Sequence, residues 1–247
     1  LASRDIQIIG PDAGEQACGD VGPGRLLEPE AIVAAVKARF ESRLLEGRRV
    51  VITAGPTMEA IDPVRYLSNH SSGKMGFALA GACAEAGAQV ELISGPVHLD
   101  APDRVMLHPV TSATEMHEQA LVLSAGADVF IGAAAVADYR PESTSDEKIK
   151  KADGAPLTLT LVENPDIIAC VVQSASRPSM VVGFAAETES LMDHAREKRQ
   201  RKGLDMIIAN DVSDPDTTFG SEQNAVHLIT EAQEHSLPLA SKRVIAE

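Results

Sequence analysis

At 247 residues, 44% of them hydrophobic, the chain can bury one large core or two small ones. Aromatic residues make up 3% and the formal net charge is −14. That composition offers neither a base-stacking platform nor a basic track for nucleic acid. No apolar run approaches the roughly 20 residues of a membrane span, and no signal-peptide pattern opens the chain. Cys18, Cys83 and Cys170 have no metal-ligand spacing and read as reduced thiols of a cytoplasmic protein.

In chain order, residues 1–27 are rich in Gly, Pro and Asp and read as loop. LEPEAIVAAVKARFESRLLEG predicts a helix, with Pro29 in its first turn and Gly47 ending it. From Arg48 the pattern turns regular. Apolar strands are expected at RRVVITAG, QVELISG, ADVFIGAAA, MVVGFAAET and LDMIIAND. Between them GFALAGACAEAGA, SATEMHEQALVLSAG, NPDIIACVVQSA and SLMDHAREKRQRKG predict helices. Short continuous apolar strands alternating with helices specify an α/β fold with a mainly parallel sheet covered on both faces. Right-handed crossovers make it doubly wound and Rossmann-like. NAVHLITEAQEHSLPLA predicts a tail hairpin that adds edge strands. Residues 140–156, polar, charged and Pro-flanked, break the pattern, and a loop of that length is usually functional or mobile.

The densest chemistry lies in residues 53–76, TAGPTMEAIDPVRYLSNHSSGKMG, between the first strand of the regular region and a small-residue helix. A polar turn at that junction is where open α/β sheets bind phosphate. Asp62, Arg65, Asn69, His70, Ser71, Ser72 and Lys74 add more polar groups than a binding turn needs. Two familiar motifs fail there. Gly55 is followed by Pro56 and Thr57, so G-x-G-x-x-G is missing. Gly73-Lys74 matches the P-loop core, but Ser68 replaces the leading glycine and Met75 the Mg²⁺-binding hydroxyl.

GPTMEAIDPVRYLSNHSSGKMG, IGAAAVADYR, KIKK, ENPDI, VGFAAET and KRQRKGLDMIIAND occur in that order. Together they resemble the phosphopantothenoylcysteine synthetase domain of the bacterial bifunctional coenzyme A biosynthesis protein. ACGDVGPGR, residues 17–25, resembles the substrate clamp of that protein's flavin-dependent decarboxylase domain. The resemblance implies a decarboxylase remnant and linker helix over residues 1–46 and a ligase domain over 47–247. It also implies a chain that starts inside a longer protein and stops short of the family's final helix. FMN would belong to the absent decarboxylase domain, and Cys18, the clamp cysteine, would be inert. The other two cysteines are expected to be core packing.

The reaction implied is a ligation of 4′-phosphopantothenate and L-cysteine, with Mg²⁺ and CTP, through an acyl-cytidylate, releasing pyrophosphate and then CMP. The family forms homodimers whose sites draw on both subunits. The resemblance assigns Lys148 a CTP contact in the first half-reaction, where composition alone reads a solvated lysine run, with Lys150 and Lys151 adding to the field. It assigns Asn69 to the acyl intermediate in the second step, against a plain turn residue. Arg65 would hold the substrate, against an ion pair with Asp62. His70 is at most a positioning residue. Asp138 would read cytosine or ribose, with Gly132, Ala133 and Ala134 giving close backbone approach and Ala134 also touching the substrate. Asn164, Pro165, Asp166, Ile167 and Phe184 would complete the nucleotide pocket. Lys198 and Lys202 share a helical face within reach of the triphosphate, against an exposed cationic helix end. ATP in place of CTP, an NAD(P)-binding oxidoreductase and a non-catalytic nucleotide-binding protein are the competing expectations.

Overall fold

The apolar runs become central strands because neither of their faces meets water. The computed structural model describes residues 8–15, 19–40, 43–151, 156–187, 191–211 and 220–247; Cys18 lies outside them. The chain forms two compact units, Leu1–Arg43 and Leu44–Glu247.

The first unit holds an antiparallel hairpin of β1 (Asp12–Glu15) and β2 (Val21–Arg25), then helix α1 (Pro29–Phe40). The sequence predicted loop at this hairpin. Its strands carry Gly and Pro in place of alternating apolar residues, so they give no period-two signal. The predicted helix also ends early. Leu45 N–H donates to Ala86 O at 2.9 Å, which commits that backbone to the second unit.

The second unit opens with β3 (Arg49–Ala54), an arm of β4 (Met58–Ala60) and β5 (Tyr66–Ser68), and helix α2 (Lys74–Glu85). Next come β6 (Gln89–Ser94), β7 (Val105–Pro109), α3 (Ala113–Ser124) and β8 (Val129–Gly132). A small ribbon of β9 (Tyr139–Pro141) and β10 (Leu161–Glu163) precedes α4 (Ile167–Gln173). Then follow β11 (Met180–Glu187), α5 (Leu191–Lys202) and β12 (Met206–Asp211). The antiparallel pair β13 (Gln223–Ile229) and β14 (Glu234–Ser241), with α6 (Lys242–Ala246), ends the described chain.

The 8-stranded sheet runs β14-β13-β12-β11-β8-β3-β6-β7, with β12, β11, β8, β3, β6 and β7 parallel. This is the dinucleotide-fold order, reversing between β3 and β8. The faces follow the pleat. Val51, Phe130, Val181 and Ile207 pack under α3, α4 and α5. Val50, Ile52, Leu92 and Ile131 pack against α2, and Ile245 of α6 joins that side. The half-buried Cys83 belongs to the same layer, and burial pushes its thiol up to about 11. Among the edge strands, β13 and β14 form the predicted tail hairpin, whereas β7 had been missed. Its five residues include His108 and Pro109 and do not stand out as an apolar run.

Local chemistry sets the helix starts. Ser112 Oγ accepts from Glu115 N, and the Glu115 carboxylate accepts from Ser112 N, a capping box for α3. Helix α2 has no side-chain cap and enters through Gly73 at φ 74°, which leaves its first N–H groups uncovered beside the site. Close approach matters most after β6, where a Cβ on Gly95 would lie 1.8 Å from Pro56 O, a backbone atom that cannot swing away. Gly95→Ala should cost about 3 kcal/mol. An unchanged urea midpoint would mean that this turn is looser than its geometry.

Candidate functional site

In open α/β sheets ligands bind beyond the carboxyl ends of the strands, where the order reverses. Here two adjoining cavities of about 450 and 280 Å³ open in that region and share Ala134, Val136, Phe184 and Lys198.

The larger cavity gathers most of the predicted nucleotide residues. Gly132, Ala134 and Asp138 come from the end of β8 and the turn beyond it, and Asn164, Pro165, Asp166 and Ile167 lead into α4. Phe184 comes from β11, and Lys198 and Lys202 from α5. Gly132 is small because α4 presses on it: an added Cβ would meet Ile168 Cδ1 at 2.8 Å. Asn164 holds the turn together. Its Nδ2 donates to Ala137 O at 2.9 Å, its backbone N to Asp138 O at 2.8 Å, and its Oδ1 accepts from Arg140 at 3.1 Å. Asp166 caps α4 through Ala169 N and pairs with Lys202 Nζ at 2.7 Å across the cavity. The Asp138 and Glu163 carboxylates have no hydrogen-bond or ion-pair partner among the described residues.

The smaller cavity is the more basic. Ala133 lines it, together with Ser71, Ser72 and Lys74 at the α2 entrance, Asn210 from the end of β12, and Asn224 and Lys242 from the antiparallel extension. Lys74 pairs with Glu222 and also donates to Gly220 O. Lys242 donates to Ser221 O, and burial first, then Lys74, lowers its pKa from the ordinary lysine value. Asn210 Oδ1 is buried with no hydrogen-bond partner among the described residues, an acceptor left for a ligand's N–H or O–H. The sequence reading missed Asn210, Asn224 and Lys242. The end of the apolar strand MIIAND could have pointed to Asn210, since carboxyl ends of such strands carry sites. No local signal marks the other two, which arrive by antiparallel pairing.

Asn69, Arg65 and Lys148 line neither cavity. Asn69 stands at the rim, and its Nδ2 donates to Ala135 O at 3.2 Å and Val136 O at 3.1 Å. Two carbonyl acceptors orient the amide, so its Oδ1 faces outward with no partner among the described residues. His70 is exposed beside it. Arg65 forms the ion pair that the plainer reading anticipated: Nε and Nη2 donate to Asp62 Oδ2, and Nη2 also reaches Ile149 O at 2.9 Å. Lys148 is exposed and makes no hydrogen bond or ion pair among the described residues.

Asp62 is itself buried. The Arg65 guanidinium, with the N–H groups of Val64, Ile149 and Arg65, holds its carboxyl well below the usual carboxylate range. The unfolded chain therefore takes up this proton first, near the ordinary pKa of about 3.9. The stability Asp62 contributes is intact above that value and is lost as pH falls below it. Urea midpoints measured from about pH 5 down to about pH 2 should fall less steeply for Asp62→Asn than for the wild type. Parallel acid limbs would exclude this linkage.

A family model described as the DNA/pantothenate metabolism flavoprotein C-terminal domain matches residues 45–247. The chain belongs to this family. Among relatives of the flavoprotein C-terminal domain, the coenzyme A biosynthesis bifunctional protein CoaBC of Vibrio cholerae is 53% identical over 247 residues. That match covers 100% of this chain and 62% of the Vibrio protein. The Escherichia coli K12 protein of the same name is 50% identical over 250 residues, again at 100% and 62% coverage. The chain thus spans about three-fifths of the length of the curated relatives it matches. A solved C-terminal domain of a coenzyme A biosynthesis bifunctional protein CoaBC superposes at TM-score 0.71 with 36% identity, covering 83% of this chain and 93% of that one. A Cab2 mutant in complex with phosphopantothenate-cysteine has the same fold, at TM-score 0.64 and 18% identity over 87% and 90% of the two chains.

Proposed function

We propose that this chain carries the ligase activity of coenzyme A biosynthesis, joining 4′-phosphopantothenate to L-cysteine through an acyl-cytidylate made from CTP. The observation that carries the reading is the pair of joined cavities. One is sized for a nucleotide and ends at Lys198 and Lys202, and the other is basic and holds Asn210 Oδ1, unpartnered among the described residues. The names of the relatives and the phosphopantothenate-cysteine bound to the Cab2 mutant agree with it.

The nucleotide would occupy the larger cavity, its base or ribose at Asp138 and its phosphates near Lys198 and Lys202. Phosphopantothenate would enter the smaller one, its phosphate among Lys74, Lys242 and the α2 entrance, its amide or hydroxyl donating to Asn210. The carboxylate would then meet the α-phosphorus near Ala134 and Lys198, which both cavities share. Lys148 would neutralise phosphate charge as the bond forms, the main catalytic need when anions react in an acidic protein. Asn69 Oδ1 would accept a hydrogen bond from an N–H of the cysteine amine in the second step.

Among the described residues no group of three or more His, Cys, Asp or Glu could hold a metal ion. This donor set fits Mg²⁺ that arrives on the triphosphate, for which one or two carboxylates suffice. Asp166 is paired with Lys202, and Glu163 is the rim acid available to it. When bound, the ion would offset charge on the phosphates. FMN would serve the decarboxylase domain of a longer protein. A homodimer is part of the proposal, and the exposed Val64 and Tyr66 of the arm suit a protein partner.

The strand order also suits a nicotinamide dinucleotide. The turn after β3, however, carries the β4–β5 arm in place of a short glycine turn. The deciding assay is pyrophosphate release from CTP with 4′-phosphopantothenate and Mg²⁺, with and without cysteine, beside ATP and NADH-binding controls. Substrate-dependent release with CTP that turns over fully only with cysteine is expected. Binding of nucleotide without release would reject the ligase reading.

A further inference from the structure

The lysine segment is stitched to the β4–β5 arm rather than to the cavities. Thr144 Oγ1 donates to Ala60 O at 3.2 Å and Ser145 N to Ile61 O at 3.0 Å. The stitching ends at Ile149, between Lys148 and Lys150, and both polar atoms of its backbone are taken. Ile149 N donates to Asp62 Oδ2 at 3.1 Å, while Ile149 O accepts from Arg65 Nη2 at 2.9 Å. The other Asp62 oxygen accepts from Val64 N at 2.9 Å and Arg65 N at 2.8 Å, which closes the turn that presents the arginine. One buried carboxylate thus organises both the arm and the point where the lysines emerge. A carboxylate is required there: every contact it makes is with a donor, and three are backbone N–H groups.

We propose that Asp62 is a positioning residue for the ligation, holding Ile149 so that Lys148 is delivered to the nucleotide from a fixed anchor. The functional half of this rests on the ligase reading above; the anchoring half does not. An Asp62→Asn amide would turn N–H groups toward Ile149 N–H or the Arg65 fork and lose the charge that binds them. Ile149→Pro removes the same amide hydrogen from the other side and leaves Asp62 and its turn untouched.

The first test is limited trypsin digestion of the folded protein, comparing cleavage at Lys150 and Lys151, sites that both variants keep, with cleavage within α5 as internal reference. Both variants should raise that ratio about tenfold or more, the scale of a lost charge-assisted hydrogen bond. An unchanged ratio in both overturns the anchor. The second test is a double-mutant cycle on the kcat of CTP-dependent pyrophosphate release. Asp62→Asn should lower kcat about tenfold in the wild-type background and by no further factor in Lys148→Gln. Independent, multiplying losses would overturn the positioning role and leave Asp62 purely structural. A wild-type protein silent with CTP would refute the ligase reading together with this kinetic half, while the digestion ratio still decides the anchor.

Discussion

Lys148→Gln is expected to lower the kcat of pyrophosphate release about 1000-fold, to a residual rate that can still be measured, with the folded protein unchanged. The size follows from the role: removing one preorganised cation from phosphates that gain charge in the transition state costs factors of about 100 to 100 000. The lack of a stability effect follows from the structure. Lys148 is exposed and makes no ion pair or hydrogen bond among the described residues, so its removal should change stability by under about 0.5 kcal/mol. Lys150→Gln is the matched control. It removes the same charge from the next position but one and should cost about twofold, the scale of a screened surface charge. Equal losses from the two variants would assign the effect to the general field of the segment. Near wild-type release from Lys148→Gln would remove the lysine from the mechanism.

Asn69→Asp should separate the half-reactions. Pyrophosphate release in the absence of cysteine should continue, while amide formation slows about 100-fold and the acyl-cytidylate accumulates. The structure narrows the reason. Because the Asn69 Nδ2 is committed to the Ala135 and Val136 carbonyls, only Oδ1 is available to a substrate. A carboxylate would face two carbonyl oxygens and lose both hydrogen bonds, so the remaining acceptor is no longer aimed at the cysteine amine. Rapid-quench separation of nucleotide products would give the two rates. If activation and ligation fall together, the tie to Ala135 and Val136 is the whole role of Asn69, and it only shapes the loop.

Where local pattern governs, the chain was legible before it was seen folded. RRVVITAG, ADVFIGAAA and LDMIIAND carry apolar side chains on both faces, which only a doubly covered parallel strand satisfies, and each became one. SATEMHEQALVLSAG predicted a helix, and α3 forms there behind a capping box. Most of the residues that the resemblance assigned to the nucleotide also line the larger cavity, at the ends of the parallel strands. The hairpin β1–β2, the edge strand β7 and the ribbon β9–β10 escaped, since strands this short exist by pairing and leave no periodic trace. Only the tertiary structure set Asp62 and Arg65 on Ile149, far along the chain, and brought Asn210, Asn224 and Lys242 to the α2 entrance. Burial and charge choose those contacts after the core has fixed the distances, so nothing within a few residues of any partner encodes them. Fold class was a property of the sequence alone. Which groups are free to meet a ligand, and which are spent on holding the others in place, was decided by packing.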